Sequence, residues 1–188
     1  MGMPNFKVQA PAMVHLHAVR KLLNMSGIQS QLLVTQKAEG QLMHDWYVTF
    51  TGTGFRGRMV MLYFHDPSMM MVITPGKSIN TGFPAFRERL ERLLQRSGFP
   101  ADVIQRETAL MDSFAAGKTS DRSLLSSINQ AVDAVEWWIR RFDRFEEIDY
   151  DWIEDLQMTN LHGLGRRKYY TALAYWQGTL GCSLIRRV

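Results

Sequence analysis

Residues 59–64, Met-Val-Met-Leu-Tyr-Phe, carry no charge, glycine or proline, and they lie between two further runs of β character. Upstream, His44 to Thr53 alternates Trp46, Val48 and Phe50 with Tyr47, Thr49 and Thr51 before a turn at Thr53-Gly54-Phe55. Downstream, Met69 to Thr74 follows the turn signal Asp66-Pro67-Ser68 and closes at Pro75-Gly76. Three such runs joined by tight turns predict an antiparallel meander. Its middle strand is apolar on both faces, so it must be covered on both or sit in the centre of a sheet.

The flanking segments supply the rest of the fold. Met13 to Ala18 sets Val14, Leu16 and Ala18 against His15 and His17, a short strand by its period of two, and Val19 to Met25 reads as one short helix. Gln29 to Gln41 reads as a loop with a strand at Gln31–Val34, and Gly76 to Gly82, including Asn80-Thr81-Gly82, as a connecting loop. From Phe83 the period becomes helical, with Phe86, Leu90, Leu93 and Leu94 on one face, and the stop is Ser97-Gly98. A shorter helix spans Ala101 to Leu110, and Ala115-Ala116-Gly117 reads as a small-residue linker. The longest helix, near residues 121–142, carries the ridge Leu124/Leu125, Ile128, Val132, Val135, Trp138/Ile139 and Phe142. The expected class is therefore α+β, an antiparallel meander packed against several helices.

At 188 residues and 46% apolar, the chain is one domain of ordinary core capacity with appendages. Residues 1–12 read as a leader or flexible tail, 13–141 as the core domain, and 142–188 as an extension packed on the core or on a partner. A single cysteine, Cys182, gives no internal disulfide framework and suggests a cytoplasmic setting. No apolar stretch is long enough to cross a bilayer. The net charge of +4 is uneven: residues 1–141 carry +5, residues 142–156 carry −6, and residues 157–188 carry +5 with no acid.

Two readings compete for the basic tail. Arg166, Arg167 and Lys168, followed by Tyr169, Tyr170, Tyr175 and Trp176, combine phosphate neutralisation with stacking faces, as non-specific single-strand binders do. The plainer reading folds the tail back on the acidic segment or a partner subunit, with its aromatics in the core. The acidic run itself reads as a solvated face.

Catalytic patterns are sparse. Gly76-Lys77-Ser78 lacks the glycine a phosphate loop needs five positions earlier, where Met71 stands. Cys182 has no histidine near it in sequence. His15 and His17 leave one strand face together, and His44 and His65 are expected to meet at the open end of the hairpin. No acid or cysteine is fixed beside either pair by spacing, so the four read as surface or hydrogen-bonded histidines, and no cofactor is expected. Ser120 or Asp121 can cap the long helix. Arg122 at its start opposes the helix dipole and must be held by an acid or offered to an anion. Asn129, beside Leu125 and Ile128, reads as a buried amide bonded to a strand edge or loop.

The order Lys21-Leu22-Leu23, Asp45-Trp46-Tyr47, Gly98-Phe99-Pro100 and Lys118–Asn129 (KTSDRSLLSSIN) resembles an uncharacterised bacterial family of domains of unknown function over roughly residues 13–141. In that family the last motif reads Asn-Arg-Ser, then Asn six residues after the Ser. Here Asp121 replaces the first Asn, while Arg122, Ser123 and Asn129 match. The resemblance implies no activity, substrate or cofactor, and it marks those three positions for testing. The expectation is a non-enzymatic binding or regulatory module, in a form compatible with a homo-oligomer, using the sheet and the Arg122 helix start as a platform. Nucleic-acid binding through the tail is the alternative, and a metal-dependent hydrolase or nuclease using His15, His17 or the acidic run is third.

Overall fold

The computed structural model describes residues 13–30, 40–119, 122–163 and 169–184. One five-stranded sheet organises them, built from β1 (Val14–Ala18), β2 (Asp45–Gly52), β3 (Met59–His65), β4 (Met71–Pro75) and β5 (Phe114–Lys118) in the order β4-β3-β2-β1-β5. Strands β2, β3 and β4 form the expected meander, with Thr49 opposite Leu62 and Leu62 opposite Ile73. The sheet as a whole is mixed, because β1 runs parallel to both β2 and β5. That corrects the purely antiparallel expectation. The Ala115-Ala116-Gly117 stretch is no linker: it is the middle of β5, paired with His15, Leu16 and His17.

Helices cover both faces, as the doubly apolar middle strand requires. Met61 and Tyr63 point into a core shared with Leu22 and Leu23 of α1 (Arg20–Met25), Phe86, Leu90 and Leu94 of α2 (Ile79–Arg96), and Val103 of α3 (Ala101–Ala109). Val60, Leu62 and Phe64 point the other way, to Leu124, Ile128 and Val135 of α4 (Arg122–Ile139) and Ile153 of α5 (Tyr150–Thr159). Among the described residues no helix is long and apolar enough to cross a membrane.

Helix α2 starts earlier than the periodicity suggests, so Asn80, Thr81 and Gly82 are helical rather than loop. Ser26, at the end of α1, accepts the Ile79 amide at 2.9 Å and replaces a local cap. Gly82 is required by close approach, since a Cβ there would stand 2.8 Å from the Tyr63 hydroxyl and 3.1 Å from the Met61 sulfur. The long helix ends at Ile139, short of residue 142.

The acidic segment is a solvated face only in part: Asp143, Glu146, Glu147 and Asp149 are exposed, while the acids of α5 are not. Helix α5, capped by Asp149 accepting the Trp152 amide, lies against α2 and presents Asp151, Glu154 and Asp155 to Arg89, Arg92 and Arg96. Glu154 is fully buried and accepts the Ile73 amide of edge strand β4 at 2.9 Å. An edge strand has backbone donors without a sheet partner, and a carboxylate from α5 satisfies one of them. Among the described residues, the α5 acids pair with arginines of α2.

The tail joins the core through α6 (Ala172–Leu180), which Thr171 caps by accepting the Ala174 amide. Trp176 is 1% exposed and packs on Phe99, His65 and Tyr175, so it offers no stacking face to a ligand. A two-stranded ribbon, β6 (His162–Gly163) with β7 (Tyr169–Tyr170), precedes it.

Candidate metal centre

The parallel pairing of β1 with β2 places Asp45 opposite His15 and Tyr47 opposite His17 on one face of the sheet. Because side chains alternate along a strand, Val14, Leu16 and Ala18 go to the core on the other face. The neighbouring positions on β5 are Ala115 and Gly117, with no side chain larger than a methyl group.

Asp45 sits between the two histidines. Its Oδ1 lies 3.6 Å from His15 Nδ1 and 3.2 Å from His17 Nε2. The His44 ring packs on His15 with centroids 4.0 Å apart, and His17 stacks on Tyr47 at 4.7 Å. One ligand atom from each of His15, His44 and Asp45 falls within 4.8 Å of the others. Tetrahedral ligands about 2.1 Å from a zinc ion stand roughly 3.4 Å apart, so small side-chain rotations close the set. His15 and His44 are buried, while His17 and Asp45 are partly open to solvent.

The residues around His44 are held by buried side chains distant in sequence. Glu107 of α3, fully buried, accepts the Leu42 amide at 3.1 Å and the Met43 amide at 2.9 Å. Trp46 Nε1 donates to the Met43 carbonyl. His65 uses Nε2 on the Leu42 carbonyl and Nδ1 on Ser68 Oγ. The tautomer of His44 follows from Gln41, whose Oε1 lies 3.1 Å from Nδ1. An amide oxygen only accepts, so the hydrogen is on Nδ1 and Nε2 carries the lone pair a metal takes.

The four histidines named from sequence therefore divide differently from the expected pairs. His15, His17 and His44 converge, whereas His65 lies opposite Trp46 and serves the backbone. Sequence spacing missed Asp45, the acid that was thought absent; its adjacency to His44 was the available signal. Of the helix-start positions, Arg122 and Ser123 open α4, and their side chains, like all of Ser120 and Asp121, lie outside the described residues. Asn129 is exposed, not a buried clamp, and lines a narrow cleft with Tyr47, Thr49 and Ile128. Arg166, Arg167 and Lys168, and the strand expected at Gln31–Val34, also lie outside the described residues.

Comparison with family models matches residues 15–172 to a family described as a domain of unknown function (DUF6933). The match runs past residue 141, so it takes in the acidic segment and the start of α6, both outside the resemblance read from sequence. No curated protein matches the chain.

Proposed function

The chain belongs to the DUF6933 family of domains of unknown function, and from its geometry we propose that it is a binding module for a divalent transition metal, zinc in the first instance. The observation that carries this is the convergence of His15, His44 and Asp45 within 4.8 Å of one another. Two imidazoles and a carboxylate suit zinc, and three protein ligands leave a fourth position for water or an exogenous group. His17, donating to Asp45 at 3.2 Å, orients the carboxylate as outer-shell partners of metal ligands do. A metal-dependent hydrolase would use the same open position, and turnover of a generic phosphoester by the zinc-loaded protein distinguishes it from a binding module.

Cobalt(II) titration tests the site. The wild-type protein is expected to develop an intense visible absorption band at one equivalent, displaced by zinc, and a higher melting temperature with either metal. Asp45→Ala is expected to lose the band while retaining its fold by circular dichroism. Acidification protonates the imidazoles and is expected to release the metal. No band and no thermal shift with either metal would end the proposal.

A further inference from the structure

A concavity of about 310 Å³ lies at the far end of β2 from Asp45, between the turn that joins β2 to β3 and the connection from β4 to α2. Its lining comes from residues 57–59, 75–77 and 145, all well inside the described segments. Arg58 brings one cation to it and Lys77 another, while Met59, Pro75 and Phe145 bring apolar surface. A Cβ built on Gly57 or Gly76 would meet nothing within 4 Å, so the space between these groups is open.

Neither cation is held firmly. Arg58 meets Glu146 at 3.7 Å with the two side chains 57% and 71% exposed, a pair that contributes little in water. Its guanidinium lies over the Phe145 ring, 5.0 Å from the centroid, and Phe55 braces that ring edge-on at 6.3 Å. Lys77 is exposed and forms no ion pair among the described residues. Gly76-Lys77-Ser78 departs from a phosphate loop in its backbone as well, because the Gly76 amide donates to the Met59 carbonyl at 3.0 Å. That amide is not available to a ligand, and the two side chains carry the charge. With Glu146 displaced, two cations match a phosphate monoester, which holds about −1.5 to −2 at pH 7. A cavity of about 150 Å³ holds benzene, so this one has room for a ring beside the phosphoryl group.

We propose that this concavity binds a phosphate monoester carrying one aromatic ring, its phosphoryl oxygens between Arg58 and Lys77 and its ring on Phe145 and Met59. The planar fork of Arg58 takes two oxygens and Lys77 acts as a point charge. Glu146 is the competing anion and gives up Arg58 when the ligand arrives.

Isothermal titration of the metal-free protein with phenyl phosphate tests this, with phenol and inorganic phosphate as comparators. Saturable binding of phenyl phosphate is expected with Kd below about 1 mM, at least about tenfold tighter than either comparator. Lys77→Gln and Arg58→Gln are each expected to weaken it about tenfold, the loss of one charge-assisted contact. Glu146→Gln removes the competing acid and is expected to tighten it about two- to threefold. All three positions are exposed, so the circular dichroism of each variant is expected to match wild type. Absence of saturable binding up to about 5 mM overturns the proposal. So does phenol or inorganic phosphate binding as tightly as phenyl phosphate, affinity unchanged in both cation variants, or weaker binding by Glu146→Gln. No metal is present in the experiment and the concavity stands at the other end of β2, so its failure leaves the metal reading standing, and the reverse.

Discussion

Glu154→Ala is expected to cost about 3–5 kcal/mol, the range for removing one partner from a buried ionic pair. The substitution leaves the Ile73 amide without its acceptor, withdraws the carboxylate shared by Arg89 and Arg96, and opens space at a fully buried position. For a chain of this length that corresponds to a fall in Tm of roughly 6–20 °C. Glu154→Gln keeps a carbonyl acceptor for Ile73 and is expected to cost less. Burial raises the Glu154 pKa from 4.5 to about 7, against the pull of Arg89, the Ile73 amide and Arg96.

The sign of the pH dependence follows. The folded state holds this proton at pH values where the unfolded chain has lost it, so this group's contribution is full below the unfolded value and declines as pH rises from about 4.5 to 7. Chemical denaturation at pH 5 and pH 8 measures it: the Gln variant is expected to show a smaller decline than wild type across that window. An equal or steeper decline in the variant would remove Glu154 as the source.

Glu107→Ala is expected to lower stability and metal affinity together. The carboxylate accepts the Leu42 and Met43 backbone amides from a fully buried position. Each amide left without a partner costs about 1–3 kcal/mol. The same residues set the approach of His44, so zinc affinity is expected to fall by roughly 10–100-fold, the range for losing an outer-shell support. Competition with a chromophoric chelator reads the affinity and thermal melting reads the stability. A variant that melts earlier but holds zinc as tightly as wild type would show that His44 is positioned by other means.

The meander was legible because its signals are local: period-two runs, Gly54, and the turn at Asp66-Pro67-Ser68. The α2 and α4 ridges were legible for the same reason. Strand β5 was not, since Phe-Ala-Ala-Gly-Lys has little β propensity and is a strand because the exposed edge of β1 offers it a parallel partner. The start of α2 was hidden by Asn80-Thr81-Gly82, poor helix formers whose place is set by Ser26 and by the close approach to Tyr63. The pairing of the α5 acids was hidden because their arginine partners lie about sixty residues upstream, a separation composition does not register. The cluster of His15, His44 and Asp45 needed the one fact spacing withheld, that β1 pairs with β2 in a register placing His15 opposite Asp45.

The most direct measurement is anomalous scattering at the zinc edge from crystals grown with stoichiometric zinc. The account predicts one strong peak about 2.0–2.2 Å from the nitrogens of His15 and His44 and an oxygen of Asp45. A peak elsewhere, or none at this cluster in protein that retains its fold, would contradict it.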